Sequence, residues 1–206
     1  MIYTKEIIRQ ALEIPEFDVS AAQALMMPIP RGARPPEMPG HPRQGAVLVI
    51  AYAKNGQAHL VLTRRRDDLS DHAGQISFPG GQQEGSETMP MAALREAREE
   101  IGVQESALEL LGELSTIYIS PTDFEVHPYV AWHEGSPHFV PQDGEVAEIL
   151  EVSLSHLLHP GTMRREIWEM RGYSVEVPFY LVDHHKVWGA TAIMLAELVE
   201  RIRAVL

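Results

Sequence analysis

Three glutamates, Glu96, Glu99 and Glu100, stand at i, i+3 and i+4 within the segment MPMAALREAREEIGV. On a helix that spacing puts them on one face. Like charges so placed repel and weaken the helix. A hard divalent cation relieves the repulsion, because Mg²⁺ takes oxygen ligands and is usually held by a few carboxylates plus substrate phosphates. A solvated acidic face is the competing reading of the three glutamates taken alone.

Their neighbours decide between the two. Arg95 has a planar fork that can bind carboxylates and fix their rotamers. Glu87 falls at the start of the helix, where a carboxylate suits the positive end. Gly80 and Gly81 follow Pro79 and let the backbone turn tightly and approach a ligand. Ala92, Ala93, Leu94, Ala97 and Ile101 offer a small, apolar face to press onto a sheet. The order Gly81, five residues, Glu87, seven residues, Arg95-Glu96, Ala97, any, Glu99-Glu100, any, Gly102, Val103 resembles the Nudix box. The resemblance implies a Nudix α/β/α sandwich, a mixed β-sheet between helices. It also implies Glu96, Glu99, Glu100 and the Gly80 carbonyl as ligands of Mg²⁺ or Mn²⁺. Arg95 joins the catalytic set, and Glu99 or Glu145 accepts the proton of an attacking water. The reaction is substitution at phosphorus in a nucleoside diphosphate derivative.

Just upstream, LTRRRDDLSDHAGQISFPGG resembles the extended signature of the coenzyme A diphosphatases within that family, through Leu62, Thr63, Arg65, Gly74, Phe78, Pro79, Gly80 and Gly81. Three positions depart: Val61 for a leucine, Arg66 for a small residue, and Ser70 for a second arginine. The resemblance makes Arg64, Arg65, His72, Gly74 and Phe78 candidate substrate-binding residues, with a core aromatic as the other reading of Phe78. Coenzyme A is then the expected substrate. Two alternatives stay open: a hydrolase of ADP-ribose, NADH or a related compound, and a non-catalytic domain that senses nucleotides.

The elements that must position these residues follow from pattern. Ala46–Ala53 is an apolar run of β-formers, Asn55-Gly56 a hairpin turn, and Ala58–Arg64 the return strand. Residues 72–81 read as loop, and Met89–Ile101 as the helix carrying the glutamates, closed by Gly102. Strands are expected at Leu108–Leu114, Glu125–Trp132, Ala147–Val152, Arg164–Met170 and Ser174–Val182. A helical turn is expected at Ser155–Leu158, and an amphipathic helix at Ala190–Val205. His184 and His185, read as adjacent strand residues, are expected on opposite faces, which argues against shared metal binding. Residues 3–13 have helical spacing and should pack on the main domain. The prolines of 28–44 forbid helix and read as an extended connection. This divides the chain into an N-terminal helix and connection, 1–44, and a Nudix domain, 45–206.

Composition sets the outer limits. A net charge of −12 over 206 residues argues against sequence-independent nucleic-acid binding. It leaves room for a phosphate substrate bridged by metal. With no cysteine, thiol nucleophiles, disulfides and Cys-ligated metals are excluded. The apolar stretch AVLVIAYA is too short to span a bilayer, and the N-terminus lacks the layout of a signal peptide. A cytoplasmic enzyme with a small-molecule nucleotide substrate is the expectation, and the family resemblance makes a homodimer plausible.

Overall fold

The computed structural model describes residues 4–29, 42–69, 72–119, 122–170 and 172–206. Two short helices, α1 (Lys5–Leu12) and α2 (Val19–Ala24), precede a long hairpin of β1 (Arg43–Lys54) and β2 (Gln57–Arg65). Asn55 and Gly56 both have positive φ, 52° and 73°, as the expected two-residue turn requires. Two short strands follow, β3 (Ile76–Ser77) and β4 (Gly80–Gln82), and then α3 (Met89–Ile101). Next come β5 (Leu108–Glu113), β6 (Ile117–Ile119), β7 (Phe124–His133) and β8 (Val146–Ser153). The chain ends with α4 (Leu154–Leu158), β9 (Met163–Met170), β10 (Tyr173–Val182), β11 (His185–Val187) and α5 (Gly189–Ala204).

The main sheet is mixed. β1 runs parallel to β7 at its centre, and β1 pairs antiparallel with β2 and β4. β8 and β3 flank β2, while β5 and β6 pair with β7. β1 is buried on both faces, which is why it reads as a continuous apolar run rather than an alternating one. Its even residues Ala46, Leu48, Ile50 and Tyr52 pack under Ala92, Ala93, Ala97 and Ile101 of α3. Its odd residues Val49 and Ala51 face α5, with Leu195, Leu198, Val199 and Ile202 in the same core. The alanines let α3 sit close to the sheet. A separate three-stranded sheet has the order β11–β10–β9.

Ile8, Ala11 and Met26 are fully buried in the α5-side core, so α1 packs on the domain as expected, and the segment after α2 packs there too. Gln23 Nε2 also donates to the fully buried Glu197 of α5, at 3.0 Å. Most of the proline-rich connection lies outside the described residues.

Several elements correct the sequence reading, among them β6, a short strand at Ile117–Ile119 that it did not expect. The stretch 72–81, expected as loop, contains β3 and the first two residues of β4. α2 is a helix that no periodicity signalled; Asp18 caps it by accepting from Ala21 N at 2.9 Å. His185 belongs to a strand, β11, but His184 lies in the turn before it, and the two rings are 3.9 Å apart rather than on opposite faces. Strand alternation does not extend through a turn, where Asp183 adopts φ 54°. His185 instead meets Glu148, Nε2 to Oε2, at 3.0 Å.

Candidate metal and diphosphate site

α3 starts with Pro90 in its first turn and ends at Gly102, whose φ of 68° closes the helix in the left-handed region. Between them, Arg95 organises the acidic face. Its Nε and Nη2 donate to the two carboxylate oxygens of Glu87, at 3.1 and 2.8 Å. Nη2 also donates to the Gln82 carbonyl at 3.0 Å. Nη1 reaches Glu96 at 2.9 Å and Glu99 at 3.2 Å. One guanidinium thus ties the loop before α3 to two of the three box glutamates.

The loop itself must contain glycines. A Cβ on Gly80 would lie 2.6 Å from the Val47 Cα, and one on Gly81 would collide with the Glu96 carboxylate. β4 therefore hugs β1 closely enough to bring its backbone under the acidic face.

Glu100 is the most enclosed of the three, 5% exposed. Thr63 Oγ1 donates to its carboxylate at 3.5 Å. Burial, reinforced by the charges of Glu96 and Glu145, pushes its pKa up to about 8, against the opposing pull of Arg65 and of the Gly80 backbone. Burial also raises the Glu96 pKa, with Arg95 opposing and Glu99 and Glu145 adding repulsion. Two carboxyls held above their ordinary range by burial and mutual repulsion fit a divalent cation, whose charge would reverse both effects. Among the described residues, no three His, Asp or Glu side chains converge closely enough to enclose an ion. Arg95 draws Glu96 and Glu99 toward itself. The donor set accordingly suits Mg²⁺, which takes one or two carboxylates and fills its shell with waters and phosphate oxygens.

Glu145 lies in the turn before β8. Its carboxylate is 3.6 Å from Arg65 Nη1, and its charge is felt by both Glu96 and Glu100. The turn is anchored to the end of α3, where Gln142 N donates to the Glu100 carbonyl at 2.8 Å.

The register of β2 sorts the arginine run. Val61 packs in the α3-side core and Thr63 meets Glu100, so Arg65, two residues further, shares their face. Leu60 and Leu62 face α5. Arg64 follows them and pairs with Asp67. Arg65 is brought to the carboxylates, and Arg64 is not. The Arg65 Nε is buried without a hydrogen-bond partner. Gly74 sits against the Arg64–Asp67 pair; its φ is 67°, and a Cβ there would lie 2.8 Å from Asp67 Oδ1. His72 is exposed, with Nδ1 2.8 Å from Gln75 Oε1. Phe78 is 1% exposed within the α5-side core, so it packs and does not line a groove. Ser70 lies outside the described residues. Sequence reasoning gave Thr63 no role and missed Glu87 as the anchor of Arg95. Period-two spacing from Val61 through Arg65 was the available signal for the first.

Comparison with known proteins identifies the family and the fold. The NUDIX domain family matches residues 42–173. The chain is 37% identical over 161 residues to the uncharacterized Nudix hydrolase NudL of Citrobacter koseri, spanning 78% of this chain and 83% of that one. To the protein of the same name from Klebsiella pneumoniae strain 342 it is 36% identical over 163 residues, 79% and 84% of the two chains. The crystal structure of the MutT protein from Methanosarcina mazei Go1 superposes with a TM-score of 0.52 at 17% identity, covering 82% of this chain and 97% of that one. At that identity the likeness concerns the fold alone.

Proposed function

The chain belongs to the Nudix hydrolase family, and from that premise we propose that it cleaves the diphosphate of coenzyme A, giving 4′-phosphopantetheine and adenosine 3′,5′-bisphosphate. At the coarser level it is a Nudix hydrolase of nucleoside diphosphate derivatives. The observation that supports coenzyme A is the Leu62–Gly81 signature, whose Arg65 stands beside Glu145 and Glu100 at the metal face.

In this reading Glu96, Glu99, Glu100 and the Gly80 carbonyl would hold Mg²⁺ or Mn²⁺, which when bound would supply charge neutralisation at the diphosphate and a more acidic water. Arg95 positions Glu96 and Glu99. The water oxygen bonds to phosphorus while the bond from that phosphorus to the bridging oxygen breaks, and the bridging oxygen leaves with the other phosphate. The water proton passes to Glu99 or Glu145. Arg65 faces the charge that develops on the phosphoryl oxygens, while Arg64, Gly74 and His72 shape the approach from the adjoining loop. In this reading the catalytic domain, expected from the sequence at 45–206, starts with β1 at Arg43, and the N-terminal helices and connection precede it. No helix among the described residues is long and apolar enough to cross a membrane, and a cytoplasmic location belongs to the proposal.

The departure at Ser70 favours a second reading, hydrolysis of ADP-ribose, NADH or a similar compound. A nucleotide sensor without catalysis is disfavoured by the complete glutamate set. The test is a panel of coenzyme A, ADP-ribose, NADH and dinucleotides with Mg²⁺ or Mn²⁺, products identified by mass spectrometry. Release of 4′-phosphopantetheine supports the proposal. Turnover of ADP-ribose with coenzyme A untouched overturns it and leaves the family assignment standing.

A further inference from the structure

β9 is the outer strand of the three-stranded sheet, and among the described residues nothing but β10 pairs with it. Glu176 of β10 gives both its N–H and C=O to Ile29, on the edge away from β9. Ile167, opposite Glu176, is therefore a non-hydrogen-bonded partner, and its own N–H and C=O point outward. By alternation so do those of Arg165 and Glu169. Ile167 is also 66% exposed, unusual for a large apolar side chain on an open edge.

The sequence of that edge, MRREIWEM, selects its occupant. Two copies paired antiparallel about a two-fold axis must keep opposed side chains on one face, so some residue sits opposite its own copy. Centring on Glu166, or on Glu169, opposes two glutamates; centring on Arg164 or Arg165 opposes two arginines. Centring on Trp168 sets the exposed Ile167 against Glu169 and leaves Arg165 with no opposite residue within β9. Like charges directly opposed destabilise a pair of strands. Centring on Ile167 avoids all of these. It places Ile167 on Ile167, Arg165 on Glu169 twice, and Glu166 on Trp168. Each of the three outward-pointing pairs then exchanges both backbone hydrogen bonds.

We propose that the β9 edge is the interface of a homodimer, formed with a second copy of this chain and centred on Ile167, which joins the two small sheets into one of six strands. The inference is independent of the substrate.

The absence of cysteine makes the test direct. Opposed residues of a hydrogen-bonded antiparallel pair have Cα atoms about 5.5 Å apart, within disulfide reach of roughly 4.4–6.8 Å. Sedimentation of the full chain should give twice 23.0 kDa. Ile167→Lys and Glu169→Arg, each opposing like charges, should give folded monomers, as judged by circular dichroism. Mild oxidation of Ile167→Cys should yield a covalent dimer quickly, and Tyr173→Cys, 73% exposed but two strands from the axis, should not. If Ile167→Lys does not fold, Glu169→Arg and the cysteine pair still decide. A monomeric wild-type chain, a dimer that survives the charge variants, or equal crosslinking of the two cysteine variants overturns the proposal.

Discussion

Arg95 and Glu87 are joined fork to fork, Nε and Nη2 meeting both carboxylate oxygens at 3.1 and 2.8 Å across eight residues. A bidentate pair fixes the plane of the guanidinium, and hence where its remaining nitrogen presents itself to Glu96 and Glu99. Lysine keeps the charge but cannot reproduce two parallel bonds. Arg95→Lys is therefore expected to fold and to lose activity roughly 10- to 100-fold, the usual effect of disturbing groups that orient metal ligands. Glu87→Gln should show a smaller loss of the same kind. Steady-state rates at saturating Mg²⁺ check this; an Arg95→Lys enzyme with an unchanged rate removes Arg95 from the organising role.

Glu96 and Glu100 are both held above the ordinary carboxylate range by burial. Replacing either with glutamine removes a ligand charge from the metal and also a source of repulsion from the fold. Metal neutralisation of phosphoryl charge is worth several kcal/mol, so each substitution should lower kcat by roughly 10²-fold or more. Thermal stability without metal should stay level or rise. Rates near normal in both variants would end the metal assignment.

The pKa of Glu100 also sets a pH dependence. Its folded value, pushed up to about 8, lies above its ordinary value of 4.5. The folded state then binds the proton more tightly than the unfolded chain, so stability is greatest below the unfolded pKa and declines as pH rises toward about 8. In a chelator, the melting temperature should fall over that window, and Glu100→Gln should flatten the decline. Added Mg²⁺ should act in the opposite sense, its stabilisation growing with pH as the carboxylate ionises. A metal-free Tm that climbs through the same window contradicts this account of Glu100.

The box helix and the central hairpin were legible because long, strongly patterned segments leave few alternatives: α3 matches the expected Met89–Ile101, and the Asn55-Gly56 turn lies where the dipeptide put it. β3 and β4 were not, since two and three residues among glycines and a proline carry no period. For the site, residue types identified the glutamates, but strand register decided which arginine meets them. Arg64 and Arg65 are chemically identical; the signature match singles out Arg65, and the pairing of β2 under α3 supplies the physical reason, since only Arg65 shares the face of Val61 and Thr63. In the sequence Glu87 reads only as a charge suited to the helix N-terminus; its partner, Arg95, lies eight residues on, and the path of the preceding loop is what joins them.

Glu145 stands 3.6 Å from Arg65 and faces Glu96 and Glu100 by charge. If it takes the proton of the attacking water, Glu145→Gln should reduce kcat by roughly 10²- to 10⁴-fold, with little change in KM or in metal affinity. Glu99→Gln should instead weaken metal binding as well. Mn²⁺ titration beside steady-state kinetics separates the two roles, and a Glu145→Gln enzyme with normal kcat excludes that residue as the base.

Substrate choice gives the last prediction. Arg65 lies beside Glu145, and the Arg64–Asp67 pair with Gly74 adjoins it; on the proposed coenzyme A reading these groups meet the moiety beyond the diphosphate. Coenzyme A differs from its 3′-dephospho form by one phosphate. A charge-assisted contact to that group contributes roughly 1.5–3 kcal/mol, which is about a tenfold to hundredfold preference in kcat/KM. Coenzyme A is expected to exceed both 3′-dephospho-coenzyme A and ADP-ribose by this order. Ser70, where the subfamily signature carries an arginine, removes one candidate contact, so Ser70→Arg should enlarge the preference for coenzyme A without altering turnover of ADP-ribose. Equal kcat/KM for coenzyme A and its dephospho form would mean that no arginine reads the 3′-phosphate, while leaving the pantetheine arm as the recognised group. A clear advantage for ADP-ribose would remove coenzyme A as substrate altogether.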